Sequence, residues 1–596
     1  MIARAAERRA SVWLRLAALS VLVILPAALR LAPIRHGLPR DYVPDTHLVN
    51  QALGMARDKD PVPPVGRYST YPNLLAYALL PVYAGQYALG RATGEWSGAG
   101  EYGHVLLEHP ERAHLPARIL FALIAACAPW LVFRAAREAG LRQGAWCAAR
   151  LCATGLAFVL LSTHERPWAP LVTFVALAMW LAVRHVRTGA LRDLVLCAAA
   201  CGLAFATHQA GGLALVLAGA AWAVTTFAPL APTSAPRPLQ RFGRGVIAVA
   251  VFVVVALLLG YPFLLVHGRT PSDAISGSDL GQPMGPSLGG QGMPVGLNLA
   301  SIPVMLRAFL AYDPVLLACG LVGAWSARRR RELWPVLALA AAWTLVFTTN
   351  RNAHLRYLLP LAAPAALLGG LALERLVGQG AAPARRLAAA LLLAFPLVQA
   401  TRLDVVLAGP DTRAEAELRL FALPVGSKVA IDRYGPDVPL DRASLEELAR
   451  LRAELAGRED DGKDLLRARE GHRLALLEAG LDGRAGPGVR ALRVEDLIEF
   501  PVGEAPRVRG ESERSPLAEL RARGCTHLLV VERERLQGAL SPWSELDSDA
   551  SALWVIDPAG EGGHADDARL PTETEQGLFG LWRVGRPGPR LELVEL

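Results

Sequence analysis

The chain has 596 residues, of which 53% are hydrophobic, with a formal net charge of +8 and seven cysteines. That apolar share excludes an assembly of ordinary soluble domains, and the nearly charge-free runs recur at the roughly 20 residues that cross about 30 Å of hydrocarbon. The positive charge gives no reason to expect a nucleic-acid partner, because the arginines cluster in short loops between apolar runs and no basic, aromatic-interleaved stripe is present.

In chain order, Arg4, Arg8 and Arg9 precede an apolar run from Val12 to Leu31. It is longer than a signal-peptide core and lacks a clear small-residue cleavage site, so it predicts a retained signal anchor. Residues 1–32 thus form a cytoplasmic N-terminus and first crossing. Further crossings are predicted near 115–134, 145–162, 168–183, 193–208, 211–228, 245–266, 312–326, 333–349, 357–375 and 387–407, about eleven in all. Cytoplasmic loops retain Lys and Arg. Alternate loops here carry Arg134, Arg137 and Arg142; Arg184, Arg187 and Arg192; Arg237, Arg241 and Arg244; Arg328 to Arg331; and Arg375, Arg385 and Arg386. The N-terminus is therefore expected inside the cell, and residues 33–114, 267–301 and everything after about 408 outside.

The first outer loop, 33–114, opens with DYVPDTHLVNQALGMARDKDPVPPVGRYSTYPNLLAY at 41–77, which places Asp41, Asp45, His47, Asp58, Asp60 and Arg67 beside the membrane. Asp45 fits either a catalytic carboxylate or the N-cap of a helix starting at Thr46 or His47, since Asp is a favoured cap. Residues 73–89 are apolar enough to pass for a crossing, but counting them would invert every later basic loop. They predict a helix lying in the interface, where tyrosine is at home. The second outer loop, 267–301, is dense in Gly, Pro and Ser and predicts a mobile lid or a linker.

Between these loops, residues 115–407 are expected to pack as one bundle. Cys127, Cys147, Cys152, Cys197, Cys201 and Cys319 fall in or beside apolar runs, and Cys525 is alone in the polar C-terminal part, so neither an outer disulfide nor a CxxC metal spacing is available. From Asp411 the composition turns soluble. Helical stretches such as SLEELARLRAELAG and KDLLRAREGHRLALLEAG alternate with the strand-like SKVAIDRY, THLLVVER, ALWVID and GLWRVG, predicting an extracytoplasmic α/β domain over 408–596 without a phosphate-binding glycine loop.

Over roughly 12–440 these pieces resemble, in order, the GT-C superfamily of polyprenyl-phosphate-sugar glycosyltransferases, in the family-39-like branch of protein O-mannosyltransferases and aminoarabinose transferases. PDTHLVNQAL at 44–53 is similar to the outward Asp-Glu motif opening an amphipathic helix, and STYPNLLAY at 69–77 to the Tyr-Pro stretch that follows. ARILFALIAACAPWLVFRAAREAG resembles the second span, which opens on an arginine. STHERPWAPLVTF resembles the segment with a Ser-His loop, GLAFATHQAGGLALV the Thr-Lys segment, and RYLLPLAAPAALL at 356–368 the late Arg-Tyr-x-x-Pro span. DTRAEAELRLFALPVGSKVAIDRYGP at 411–436 is similar to the start of the outer domain of bacterial members. The chain departs at Thr46, where the motif has Glu, at Ala169, where an Asp is common, and at His208, where Lys is common.

The resemblance implies sugar transfer from a polyprenyl-phosphate carrier to an extracytoplasmic glycan, lipid or protein in a bacterial inner membrane. That chemistry needs a base at the acceptor hydroxyl, worth about 10²–10⁴-fold, and positive charge on the departing phosphate. Attack opposite the phosphate inverts the anomeric centre. Asp45 is the expected base, Asp41 the alternate, and His47 lies near the same rim. Arginine forks suit phosphate oxygens, which singles out Arg67, Arg166, Arg351 and Arg356, with His164 and His208 as weaker partners; each arginine alone could also be an interfacial anchor. Tyr71 could stack on a sugar or belong to the aromatic belt. Asp41 and Asp45 could hold a divalent cation, though a spacing of four without a third ligand is weak support, and no metal site is assigned. The alternatives are a non-catalytic transporter or flippase, or a scaffold, with an outer ligand-binding domain; a transporter should show paired broken spans in corresponding halves, and none is visible. Membrane lipids are expected partners and nucleic acid is not.

Overall fold

The computed structural model describes residues 19–40, 47–64, 71–230, 238–267, 299, 301–347, 355–378, 380–432, 435–455, 488–499, 507–508, 514–531, 543, 552–559 and 581–596. Two expectations fall outside them almost entirely: the second outer loop and the helical stretch at 463–480.

The architecture is that of a polytopic helical membrane protein. Among the described residues six helices are long and apolar enough to cross a bilayer: Glu111–Glu138, Trp168–Thr188, Gln209–Phe227, Leu239–Gly260, Arg356–Val377 and Pro383–Phe421. The remaining apolar runs are helical as well, at Ser20–Leu31 and Pro314–Ala327, at Gly144–Thr154 with Leu156–Leu161, and at Leu191–Thr207 and Trp334–Phe347. Proline opens Pro314–Ala327 and Pro383–Leu407, where a missing N–H costs nothing. Left-handed Gly94 and Gly189 close Leu74–Thr93 and Trp168–Thr188.

One interruption is satisfied from another helix. At Gly155 the chain leaves helical geometry, and the freed N–H groups of Leu156 and Ala157 donate to the Asp313 carboxylate at 2.6 and 3.1 Å. A lipid core offers no water for such groups, so the internal acceptor is what permits the break. Small residues bring other helices together: a Cβ on Gly323 would lie 1.8 Å from the Leu368 carbonyl oxygen, and one on Gly144 2.3 Å from that of Gly370. Without a hydrophobic drive between helices in lipid, such close backbone packing supplies the dispersion contacts.

Of residues 73–89, Asn73 is the N-cap and the rest fall in the helix Leu74–Thr93, which is not among the six long apolar helices. Its Leu75, Ala76, Leu79 and Tyr83 pack on Leu48, Val49, Ala52 and Met55 of the helix His47–Asp58 and on Ala113, Ala117 and Phe121. The i, i+4, i+7 spacing of Leu48, Ala52 and Met55 supplies one apolar face for that contact.

The polar C-terminal part builds a five-stranded sheet from β1 (Val429–Ile431), β2 (Ala491–Arg493), β5 (His527–Val531), β6 (Trp554–Ile556) and β7 (Leu591–Glu595), in the order β2-β1-β5-β7-β6. β3 (Ile498–Glu499) and β4 (Arg507–Val508) form a separate ladder. β1 runs parallel to β2 and β5, and β7 antiparallel to β5 and β6. Val429, Ile431, Leu529, Val531, Leu591 and Leu593 enter one core and Ala430, Leu528, Val530 and Val594 another, the period of two expected of strands covered on both faces.

The expected strand GLWRVG is corrected. Residues 581–585 form no strand; Leu581 and Val584 belong instead to the core of the helical bundle, and Trp582 Nε1 donates to Gln399 Oε1 at 2.8 Å. The partner of β6 in the sheet is Leu591–Glu595.

Candidate functional site

The site is assembled around the loop at 162–167, between the helices Leu156–Leu161 and Trp168–Thr188, with every residue of the loop buried. His114 and Arg118 lie four apart on the helix Glu111–Ala126 and so share a face. Both meet Glu165. Arg118 Nε donates to Glu165 Oε2 at 2.6 Å, and His114 Nδ1 lies 2.7 Å from Oε1. Arg118 Nη1 donates to the carbonyls of His36 and Ile34 at 2.6 and 3.4 Å, which ties the turn after the first helix to the loop.

Arg118 and Glu165 are 1% and 2% exposed. Burial alone would raise the Glu165 carboxyl, but the Arg118 charge and the His114 hydrogen bond outweigh it and hold the group well below the usual carboxylate range. With both oxygens engaged and its proton affinity depressed, Glu165 is suited to fixing geometry and poorly suited to accepting a substrate proton.

His164 is buried next to this network, its ring 6.1 Å from that of His36, edge to face. Burial, then the charges of Arg118 and Arg166, push its pKa well below the ordinary value, and its Nδ1 has no hydrogen-bond partner among the described residues. Arg166 is 5% exposed, so the expectation of an anchor reaching to the headgroups does not hold for it.

Two residues on, Trp168 begins a second group. Its ring centroid is 4.1 Å from His208 and 5.3 Å from Tyr357; Tyr71 is 5.6 Å from His208, and the Arg356 guanidinium lies 5.5 Å from the Tyr357 ring. His208 ends the helix Leu191–Thr207 and caps the next turn, its Nδ1 accepting from Ala210 N at 3.1 Å, so a neutral ring carries its proton on Nε2. Trp168 Nε1 is buried without a partner among the described residues. The Tyr-Pro stretch is held by Gln51, whose Nε2 donates to Asn73 Oδ1 at 2.7 Å and to the Tyr71 carbonyl at 3.4 Å, and by Asn73 N donating to the Gly260 carbonyl at 2.9 Å.

Of the residues singled out from sequence, His164, Arg166, His208 and Tyr71 are buried along the loop 162–167 and the ring contacts that follow it, and Arg356, half-buried, stands at the Tyr357 end of those contacts. Asp41, Asp45, Arg67 and Arg351 lie outside the described residues. His47 is the first residue of its helix, and its side chain is not described. Arg118, Glu165, His114, His36, Trp168 and Tyr357 were not anticipated as site residues. The signals were present: an i, i+4 His-Arg pair at a membrane boundary, and a glutamate between His164 and Arg166 in a short polar break between two apolar runs. Among the described residues no group of three or more His, Cys, Asp or Glu side chains is placed to hold a metal ion.

Residues 111–267, from the helix carrying His114 and Arg118 to the edge of the second outer loop, match the family model described as dolichyl-phosphate-mannose-protein mannosyltransferase. The match covers about a quarter of the chain, and it falls within the stretch whose motif order resembles the GT-C superfamily. No curated protein matches the chain significantly. Among solved structures it is similar to ArnT from Cupriavidus metallidurans bound to undecaprenyl phosphate, at 16% identity and a TM-score of 0.43, covering 80% of this chain and 78% of that one. It is also similar to the Archaeoglobus fulgidus oligosaccharyltransferase in the apo form, at 15% identity and 0.43, covering 87% and 70%. A third similarity is to the S. cerevisiae protein O-mannosyltransferase complex bound to the sugar donor, at 19% identity and 0.29, covering 41% and 33%.

Proposed function

We propose that the protein is an integral membrane glycosyltransferase that moves a sugar from a polyprenyl-phosphate carrier to an extracytoplasmic glycan, lipid or protein, with inversion at the anomeric carbon. The observation that carries this is the family match over 111–267, which contains the Arg118–Glu165 pair, the His164–Arg166 loop and His208. Asp45 takes the proton of the acceptor hydroxyl, with Asp41 as alternate. Arg166, Arg356 and Arg67 supply charge to the departing phosphate, while Tyr71, Trp168 and Tyr357 offer faces to the sugar or the carrier. The burial of Arg166, 5% exposed, supports anion binding, because a guanidinium pairs with phosphate more strongly where water is scarce. About eleven crossings in a bacterial inner membrane, the N-terminus inside and residues 408–596 outside, complete the proposal.

The test supplies membranes containing wild type or Asp45→Asn with radiolabelled polyprenyl-phosphate sugars and follows label into acceptor. Transfer by wild type and its near-complete loss in the equally inserted variant is the expected outcome. Unchanged transfer by Asp45→Asn removes Asp45 from the role of base, and transfer from no donor at all removes the function.

A further inference from the structure

The turn that leads from the first helix into the outer loop is gripped from two sides. On the bundle side Arg118, itself fixed by Glu165, donates to the carbonyls of Ile34 and His36. At the end of the turn the Arg40 guanidinium meets the Glu417 carboxylate fork to fork, Nε to Oε2 at 3.1 Å and Nη2 to Oε1 at 2.6 Å. The pair joins positions 377 residues apart, with side-chain exposures of 25% and 14%.

Glu417 lies on the helix Thr412–Phe421, whose Ala416 and Leu420 are buried in the core of the outer sheet. The same helix is anchored by Thr412 Oγ1, which donates to the Pro589 carbonyl at 2.7 Å, and by an ion pair between Glu415 and Arg586. Most surface ion pairs contribute little. This one is bidentate and half withdrawn from solvent, and both its ends sit on segments already held by other bonds, so little further entropy is lost in forming it.

We infer that Arg40 and Glu417 are a positioning pair, through which the outer α/β unit sets the base of the loop that leads to the helix His47–Asp58. This rests on the function proposed above, and it makes the outer unit part of the transfer step as well as a neighbour of the acceptor. Arg40 precedes the expected catalytic segment directly, so a shift of the Glu417 helix is delivered to the point where that segment starts.

The experiment compares full-length wild type, Arg40→Glu, Glu417→Arg and the charge exchange combining both, in liposomes. Two quantities are read: kcat and KM for the labelled polyprenyl-phosphate sugar that wild type uses, and amide hydrogen exchange in the helix His47–Asp58 and the turn before it. Each single variant should lose about 10- to 100-fold in kcat, the scale of an ångström-size misplacement, with donor KM nearly unchanged, and exchange should rise. The charge exchange should restore both, which mere misfolding of the single variants would not allow. Single variants that turn over like wild type, or a combined variant no better than the poorer single one, overturn the pair. Should wild type transfer from no donor, the proposed function fails by that result alone. The exchange data then decide the pair: protection lost and regained retains it, and unchanged protection overturns it.

Discussion

Replacing Glu165 by glutamine keeps the shape of the side chain and removes its charge from a position where both partners are almost fully buried. Arg118 would then stay charged at 1% exposure with no carboxylate against it, facing a neutral amide oxygen and, among the described residues, the carbonyls of Ile34 and His36. Breaking a buried pair from one side costs about 3–5 kcal/mol. The two retained carbonyl contacts, each worth about 1 kcal/mol, place Glu165→Gln near the lower end. Arg118→Leu should cost a similar amount, because it strands a carboxylate and deprives two carbonyls of their donor. The double replacement Arg118→Leu, Glu165→Gln should cost clearly less than the sum, since no buried charge remains. Unfolding of the purified full-length protein in detergent, followed at pH 7 for all four forms, measures this cycle. The pH dependence supplies an independent check. A carboxyl whose folded-state pKa is depressed contributes fully above its unfolded value, about 4.3 for Glu, and its contribution disappears as pH falls through the folded value. The gap between wild type and Glu165→Gln should therefore be flat from pH 7 to about 5 and shrink below about 4.3. Equal stability at pH 7, strict additivity in the cycle, or a gap that widens in acid would refute the assignment of Glu165 as a buried clamp.

Two further outcomes follow from the same geometry. His164 is held neutral by burial and by Arg118 and Arg166, so the unfolded chain binds its proton first; stability should decline as pH drops below about 6.5, and His164→Gln should flatten that slope in unfolding curves between pH 7 and 5. Gly370→Val would place its Cβ 2.4 Å from the Gly144 carbonyl oxygen and should cost about 1–3 kcal/mol or more by overpacking, whereas Gly85→Ala, with nothing within 4 Å, should be neutral or stabilising by about 0.5–1 kcal/mol; thermal unfolding of both variants side by side reads the difference.

The helices were legible because lipid leaves the backbone no alternative: apolar runs of the right length, separated by arginine-rich loops, become helices wherever they occur. The helix Leu74–Thr93 was recognisable for the same reason. The C-terminal sheet was legible only in part. Ala491–Arg493 is too short to carry a period, and Leu591–Glu595 alternates leucine and valine with glutamate, which reads as a solvated segment until its position between β5 and β6 is known. Residues 580–585 carried the apolar pattern of a strand because Leu581 and Val584 are indeed buried, but against helices. At the site, single residues such as His164, Arg166 and His208 stood out as polar groups in apolar surroundings. The Arg118–Glu165 pairing did not, because its partners are separated by 47 residues and nothing local marks the contact.

The placement of β7 also bears on how the molecule is made. Its residues, 591–595, sit between β5 and β6, so neither of those strands has its neighbour on that side until the ribosome has passed position 595. The helical part precedes it in synthesis and can be inserted while the strands of the C-terminal unit are still incomplete. During that interval β5 presents an unpaired apolar edge, the kind of surface that aggregates or recruits chaperones. Completion of the C-terminal sheet is thus a late event that follows synthesis of the helical part, and chaperones that meet the unit as it folds are the factors on which its yield should depend.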